Sequence, residues 1–307
     1  MISKNKLRAT KEDKSPTPEK GKLLTRVLSG LVIIAVTIGM IFAGKLVFTA
    51  FVALLAGISL YEWSRMVLTK DKNHIFITSS VLAMAAIIIV AVVNTAMFAP
   101  LLALGLAFLL RVHAGFRGID EGLTRLFGGF LYIVTTLSFL TLLGNYAGKM
   151  VPGPHGAFVS LLFDPLQLKW ILVALFVVVW SSDSVAYVFG RILGGPKLAP
   201  AISPKKTWAG LLGSMFGAGA ALTLASCLFT HYFEPVFAFP PSYMFFAFGA
   251  FLGVIGQAGD LVISFFKRAY SLKDTGALIP GHGGVLDRID ALMLVIPFYY
   301  FGFTLVF

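Results

Sequence analysis

Charged side chains are scarce in this chain of 307 residues. Asp, Glu, Lys and Arg make up only 13% of it, whereas an ordinary soluble domain carries roughly 25%. Hydrophobic residues make up 58%, and the mean hydropathy is +0.88. A soluble globular domain is therefore excluded, and the composition predicts a protein whose solvent is lipid.

Cysteine and acidic residues are also few. The single cysteine, Cys227, cannot form a disulfide within the chain, so a disulfide-stapled fold is excluded. The 14 acidic residues are outnumbered by 25 basic ones, which gives a formal net charge of +11. Such an excess could indicate nucleic acid binding, but basic residues in short loops between apolar segments more often set membrane orientation. We therefore expect no nucleic acid partner.

Long apolar segments dominate the rest of the chain. A helix needs about 17 to 25 apolar residues to cross a bilayer. The pattern predicts an all-α polytopic membrane protein with about nine transmembrane helices. The predicted segments are 26–43, 46–63, 75–93, 96–111, 127–147, 169–190, 208–230, 243–263 and 290–306.

The basic residues predict how these helices are oriented. If the N-terminus is cytosolic, 22 of the 25 Lys and Arg residues fall on the cytosolic side, and only Lys45, Lys149 and Lys169 fall outside. This bias predicts a cytosolic N-terminus and a C-terminus on the outer side.

Three regions follow from the same pattern. Residues 1–22 are basic, contain two prolines and lack apolar periodicity, so we expect a disordered cytosolic tail on anionic lipid. We expect residues 23–150 to form the N-terminal transmembrane helices and residues 151–307 to form a C-terminal transmembrane region, which the residues described below predict to be catalytic. The long external connection, 148–168, is expected to be a surface loop.

Acidic residues lie within or beside the later apolar segments. Asp183, Asp260 and Asp290 are the three, and a charge in hydrocarbon indicates function by default because it is costly. At a rise of 1.5 Å per residue, Asp183 and Asp260 lie about 10 Å from the cytosolic ends of their helices, near the lipid headgroups. Asp183 shares a helix face with Tyr187, and either binds a metal or substrate or pairs with a buried arginine.

The eighth predicted helix carries a stripe of small and polar residues at steps of three or four. Its glycines favour close helix packing, which does not explain the aspartate among them. The stripe consists of Gly249, Gly253, Gly256, Asp260, Ser264 and Lys267.

A basic loop precedes the seventh predicted helix. It combines two glycines with hydroxyl and basic side chains next to a helix N-terminus, a combination that favours phosphate. An ordinary cytosolic loop would carry similar charges. The residues concerned are Gly194, Gly195, Lys197, Ser203, Lys205, Lys206 and Thr207.

The segment from Ser264 to Asp290 is the richest in chemistry. Asp287 and Asp290, three residues apart at a helix start, share one face and can bind hard cations through oxygen. Cations, carboxylates and a flexible glycine loop together predict magnesium-assisted phosphoryl or nucleotidyl transfer. The cations are Lys267, Arg268, Lys273 and Arg288, and the glycines are Gly281, Gly283 and Gly284.

This segment resembles the signature of the bacterial phosphatidate cytidylyltransferases, also called CDP-diacylglycerol synthases. The pattern S-x-hydrophobic-K-R begins at Ser264, K-D-x-small begins at Lys273, and P-x-H-G-G-x-x-D-R-x-D begins at Pro280. The resemblance continues upstream in DSVAYVFGR, SPKKTW and GQAGD, and faintly in YEWSRM, so it covers the chain from about residue 60. Ala209 departs from it, where many relatives have a polar or acidic residue.

The resemblance implies condensation of CTP with phosphatidate to give CDP-diacylglycerol and pyrophosphate. It implies a homodimer in the bacterial plasma (inner) membrane, with the active site facing the cytosol. We expect Mg²⁺, with or without a second cation, to be held by carboxylates among Asp183, Asp260, Asp287 and Asp290. The expected catalytic residues are Asp260, Lys267, Arg268 and Asp287. The expected substrate-binding residues are Tyr187, Ser203, Lys205, Lys206, Thr207, Ser264, Lys273, Asp274, His282, Gly283, Gly284 and Arg288.

Two other functions fit parts of the pattern. A CTP-dependent lipid kinase would use similar residues but would release CDP instead of pyrophosphate. A transporter of an anionic substrate would also have intramembrane aspartates. Transporters commonly carry inverted repeats and broken helices near the membrane midplane, whereas here the charges crowd one face and no repeat is evident.

Overall fold

A computed structural model of the chain shows a helical protein. It describes residues 19–68, 73–93, 98–116, 122–145, 149–152, 158–161, 165–233, 241–279, 281 and 283–306. Each predicted apolar segment overlaps one α-helix. The helices are α1 (Glu19–Phe42), α2 (Lys45–Val67), α3 (Asn73–Val93), α4 (Phe98–Phe116), α5 (Leu123–Gly144), α6 (Pro165–Ile192), α7 (Trp208–Tyr232), α8 (Ser242–Ala269) and α9 (Leu286–Val306).

The helices confirm a polytopic membrane protein. Among the described residues, seven helices are long and apolar enough to cross a membrane: α2, α3 and α5 to α9. The apolar part of α1, Val27–Phe42, is shorter. The number of nine crossings and the orientation of the termini stay predictions.

Two short antiparallel hairpins add to the helices, and the sequence did not predict them. β1 (Lys149–Pro152) pairs with β2 (Phe158–Leu161), inside the connection that was expected to be a loop. β3 (Lys197–Ala199) pairs with β4 (Ser203–Thr207), in the basic segment before α7. Strands of three to five residues, partly polar, give too little periodicity to be recognised in the sequence.

Several helices are longer than predicted. α8 continues to Ala269 and α9 begins at Leu286, so Lys267 and Asp287 lie on helices. α1 begins at Glu19, inside the segment expected to be disordered, and residues 1–18 of that segment lie outside the described residues.

The N-terminal helices pack around α5, which contacts α2, α3 and α4. Phe130, Ile133, Leu137 and Leu140 of α5 are fully buried at helical spacing. α5 also contacts α9, and α2 contacts α9, so the two halves of the chain form a continuous packed structure.

Glycines hold α7 and α8 close together. A Cβ placed on Gly253 would lie 2.7 Å from the Ser214 carbonyl oxygen, and one on Gly249 would lie 2.6 Å from the Ala218 carbonyl oxygen. The Ser214 hydroxyl donates a 2.8 Å hydrogen bond to the Gly253 carbonyl, and lies 2.6 Å from the Ser182 hydroxyl of α6. The packing role predicted for the glycine stripe is therefore confirmed at these two positions.

Candidate active site

A polar cavity of about 520 Å³ lies at one end of the last four helices. It is lined by the C-terminal parts of α6 and α8, the N-terminal parts of α7 and α9, and strand β4. Because successive helices run in opposite directions, these four ends meet at the same end of the bundle. The volume is within the range of small-molecule sites, roughly 300–1,000 Å³.

Charged side chains of both signs line this cavity. The basic ones are Arg191, Lys205, Lys206, Lys267 and Arg288. The acidic ones are Asp183, Asp260, Asp274, Asp287 and Asp290. With five of each, the formal charges of these side chains cancel. A ligand with several phosphate charges would therefore be favoured by an additional cation in the cavity.

The hairpin of β3 and β4 carries Lys206 into the cavity. Gly194 and Gly195, with φ of 63° and 90°, let the chain turn away from α6 into this hairpin. The Lys206 ammonium lies 2.8 Å from Asp260 Oδ2 and donates a 3.1 Å hydrogen bond to the Gln257 carbonyl. The basic loop and the aspartate of α8, separate features in the sequence, therefore form one contact.

Asp260 is held at both of its oxygens. Lys206 contacts Oδ2, and the Ser264 hydroxyl donates a 3.0 Å hydrogen bond to Oδ1. On α6, Asp183 receives a long 3.5 Å hydrogen bond from Gln257 Nε2. The alternative that Asp183 pairs with an arginine is not realised among the described residues, because the only ion pairs there within 4.0 Å are Lys206 with Asp260 and Lys267 with Asp287.

Lys267 and Asp287 form a buried ion pair between α8 and α9. The ammonium lies 2.8 Å from Asp287 Oδ1, and each residue is 7% exposed. Oδ2 of Asp287 accepts hydrogen bonds from the Thr275 amide at 2.7 Å and the Gly284 amide at 3.0 Å, and it lies 3.1 Å from the Thr275 hydroxyl oxygen. Asp287 therefore holds Thr275 and Gly284 in place as well as lining the cavity.

The glycine loop approaches protein carboxylates closely. Gly283 has a φ of 86°, and a Cβ there would lie 2.9 Å from Asp287 Oδ2. A side chain at Gly284 would collide with Thr275 and Glu62. The sequence suggested that these glycines leave room for a ligand, and the contacts show that they leave room for Asp287 and Glu62.

Glu62 of α2 contacts the loop beside the cavity, although the sequence did not assign it to the site. It is 5% exposed and accepts three hydrogen bonds of 2.9 Å, from the Thr275 hydroxyl and from the Val285 and Leu286 amides. The sequence does contain an indication, because a glutamate in an apolar helix places a charge in hydrocarbon at as high a cost in free energy as Asp183 or Asp260. The predicted helix 46–63 placed it at a helix end, where a charge is cheap.

Other predicted residues stand at the rim or support a helix. Thr207 caps α7, because its hydroxyl accepts a 3.0 Å hydrogen bond from the Gly210 amide. Tyr187 lines the cavity, is 65% exposed and accepts a 3.0 Å hydrogen bond from Arg191.

Some predicted residues are not brought to the cavity wall. Arg268 instead donates to two backbone carbonyls, that of Ile202 at 3.3 Å and that of Leu272 at 3.0 Å. Ser203 begins β4, and Lys273 is exposed beyond α8, but neither lines the cavity. His282 lies outside the described residues, as does Pro280.

The donors that could hold a metal are carboxylate oxygens. Within the described residues, no three acidic, histidine or cysteine side chains form a preformed metal cluster. Magnesium, however, usually binds one or two carboxylates and takes its other ligands from water and substrate phosphates. Asp183, Asp260 and Asp290 line the same cavity, and their oxygens suit that mode of binding.

Comparison with known proteins shows similarity over nearly the whole chain. Residues 24–306 match the profile of the cytidylyltransferase family. A phosphatidate cytidylyltransferase of Bacillus subtilis is 33% identical over 287 residues, which is 90% of this chain and 96% of the relative. That of Rickettsia felis is 32% identical over 76% of this chain and 94% of its own length. That of Rickettsia bellii is 41% identical over half of this chain and 65% of its own length.

Proposed function

The chain belongs to the cytidylyltransferase family, and from this premise we propose that it condenses CTP with phosphatidate to give CDP-diacylglycerol and pyrophosphate. The relatives described above carry the name of that activity. The observation that carries the proposal is the polar cavity, in which basic and acidic side chains from four helices and one hairpin converge at the end of a membrane helix bundle.

The location of the cavity suits both reactants. Phosphatidate keeps its acyl chains in the bilayer and its phosphate at the surface, whereas CTP arrives from water. A cavity at the ends of apolar helices can receive both, because its walls are charged while the helices beneath it are apolar. This supports a site at the membrane boundary.

The basic side chains are assigned to the phosphates. Lys205, Lys206 and Arg288 line the cavity, and we assign them to the triphosphate of CTP. Lys267, which is fixed by Asp287, faces the same space and would offset the negative charge that grows on departing pyrophosphate.

The reaction needs positioning more than proton transfer. An oxygen of the phosphatidate phosphate forms a bond to the α-phosphorus of CTP, while the bond from that phosphorus to the β-phosphate bridging oxygen breaks and pyrophosphate leaves. Phosphatidate is already ionised near neutral pH, so the attacking oxygen requires no strong base. Alignment of the two phosphates and stabilisation of charge would then supply most of the catalysis.

Magnesium fits the oxygen donors of the cavity. Asp183, Asp260 and Asp290 would hold it, and Asp287 has one oxygen whose only described hydrogen-bond donor is Lys267. When bound, the cation would neutralise phosphate charge and align the triphosphate. The formal charges of the cavity side chains cancel, so they leave no excess positive charge to neutralise the substrate phosphates. This supports a bound cation.

The orientation and assembly of the protein are also proposals. The bias of lysine and arginine toward one side supports a cavity that faces the cytosol of a bacterium, in its inner membrane. A homodimer rests on family resemblance. Mass measurement of the detergent-solubilised protein tests it, and a monomer that retains full turnover would contradict a dimeric requirement.

Radiolabelled CTP separates this function from its alternatives. Purified protein is incubated with phosphatidate, Mg²⁺ and CTP labelled at either the α- or the γ-phosphorus. We expect the α label in the lipid product and the γ label in pyrophosphate. A lipid that carries the γ label would identify a kinase. Uptake of CTP into sealed vesicles without any labelled product would identify a transporter, and either result overturns the proposal.

A further inference from the structure

We infer that Glu62 of the N-terminal half is a positioning residue for the active site, acting through Thr275 and Asp287 on Lys267. The inference rests on the proposed function for its catalytic consequence. The contacts themselves lie within the described residues.

Glu62 serves as an N-terminal cap for a helix other than its own. The Val285 and Leu286 amides lie at the start of α9, where backbone donors have no partner within the helix. A carboxylate at this end is also favoured by the helix dipole. Among the described residues no basic side chain lies within 4.0 Å of Glu62, so these amides and the Thr275 hydroxyl stabilise its charge.

Thr275 connects Glu62 to the ion pair in the cavity. Its hydroxyl oxygen lies 2.9 Å from Glu62 Oε2 and 3.1 Å from Asp287 Oδ2. Its backbone amide donates to the same Asp287 oxygen at 2.7 Å. The other oxygen of Asp287 receives Lys267 at 2.8 Å. A shift of the Glu62 carboxylate would therefore displace Thr275 and, with it, Asp287 and the Lys267 ammonium.

The surrounding sequence leaves space for this carboxylate. A Cβ on Gly276 would lie 2.6 Å from Glu62 Oε1, and one on Gly284 would also collide with Glu62. Two glycines from the loop therefore enclose a side chain of α2. Contacts across sequence separations of 213 to 224 residues thus hold Thr275 and the first residues of α9, the helix that carries the cavity residue Asp287.

Three substitutions test the positioning role. Glu62→Gln nearly preserves shape but replaces one acceptor oxygen with an NH₂ group that faces N–H donors. Thr275→Val removes the bridging hydroxyl, and Thr275→Ser keeps it. We expect kcat to fall by about tenfold to a hundredfold in Glu62→Gln and Thr275→Val, since small displacements of catalytic groups have effects of this size. We expect the KM for CTP to change by less than about threefold, and Thr275→Ser to stay near wild type.

Leu60→Ala separates positioning from simple loss of stability. Leu60 is fully buried on the same helix, so its truncation should lower the thermal midpoint by creating a cavity, with little change of kcat in the folded protein. If Leu60→Ala lowers kcat as much as Glu62→Gln at a comparable loss of thermal midpoint, the positioning role is overturned. A kcat within twofold of wild type in Glu62→Gln overturns it as well.

Hydrogen exchange tests the contacts without relying on the reaction. Amides of the 275–286 segment should exchange faster in Glu62→Gln than in wild type, while α7 amides should be unchanged. Unaltered exchange in that segment would overturn the inference whatever the activity. The two proposals can fail separately. If the wild-type protein makes no CDP-diacylglycerol but Glu62→Gln still speeds exchange in that segment, the proposed function is overturned and the contact network remains supported.

Discussion

The ammonium of Lys206 lies 2.8 Å from Asp260 Oδ2, which joins the hairpin before α7 to the polar end of α8. The contact places the ammonium of Lys206 next to a carboxylate that is a proposed metal ligand, inside the cavity. When the substrate binds, Lys206 could contact its phosphate while Asp260 binds the metal ion. The ion pair therefore places the proposed phosphate-binding residue beside the proposed metal ligand.

Removing the Lys206 charge should impair turnover strongly. We expect Lys206→Met to lower kcat/KM for CTP by about a hundredfold, because a preorganised cation on a phosphate contributes on the order of 10²–10³ in rate. Steady-state kinetics of the purified protein measure this. The matched control is Lys197→Met in the same hairpin, which is exposed and away from the cavity wall. Equal effects of the two substitutions would show that total hairpin charge, not the Lys206 contact, matters.

Asp287→Asn should abolish most activity and also destabilise the protein. The sequence alone predicts loss of turnover by orders of magnitude, through loss of a metal ligand. The structure adds that an amide cannot accept all the hydrogen bonds from Lys267, Thr275 and Gly284. Breaking a buried ion pair costs roughly 3–5 kcal/mol, so the thermal midpoint should fall too. Near-normal CTP-dependent product formation by this variant would refute the metal-ligand role, and an unchanged thermal midpoint would refute the structural role.

Removal of metal should stop the reaction reversibly. Chelation of Mg²⁺ should reduce product formation to background, and added Mg²⁺ should restore it, because the cavity carries balanced side-chain charge and needs an extra cation for its anionic substrates. The measurement is product formation at several concentrations of free Mg²⁺. Full activity in excess chelator would exclude a role for the proposed carboxylates as metal ligands.

Two glycines of α8 should respond differently to the same substitution. Gly253→Ala places a Cβ 2.7 Å from the Ser214 carbonyl oxygen, so α7 and α8 must separate and the thermal midpoint should fall. The Cβ of Gly256→Ala would lie 3.4 Å from Val295 Cγ2 and 3.9 Å from Ala291 Cβ, which are ordinary contacts, so this substitution should be tolerated. Thermal unfolding of the two purified variants in detergent makes the comparison. Equal midpoints would contradict close packing at Gly253.

Cysteine labelling tests the orientation of the helices. In a Cys227→Ala background, Lys197→Cys should react with a membrane-impermeant maleimide only after the cytosolic face is opened. Lys45→Cys should react in intact cells from the outside. Both side chains are exposed, so access depends on membrane side. The reverse labelling pattern would invert the topology and place the cavity outside the cytosol.

Much of this architecture could be predicted from hydropathy and motif spacing. The segment around each apolar run is helical, and residues from three separate motifs, Lys206, Asp260 and Asp287, line one cavity. Arg268 shows the limit of such predictions, because a motif gives a side chain its place in the sequence but not its partner in the structure. Two of its N–H groups donate to the Ile202 and Leu272 carbonyls.

Glu62 could not be connected to the site in this way. Its three donors lie more than 200 residues away in the chain, with separations of 213, 223 and 224 residues. No spacing rule spans such a distance, since the contact depends on how α2 packs against α9. The hairpin of β3 and β4 is similar, because its short strands are defined by pairing and not by apolar alternation.

The most direct test of the polar cavity as the transfer site compares Asp260→Asn with Lys45→Ala, a substitution at the start of α2 away from that cavity. Formation of CDP-diacylglycerol from CTP and phosphatidate is measured for both purified proteins at saturating Mg²⁺. Asp260→Asn should lose at least about a hundredfold in kcat, with Lys45→Ala close to wild type. Turnover by Asp260→Asn within a few-fold of wild type would contradict the assignment of this cavity.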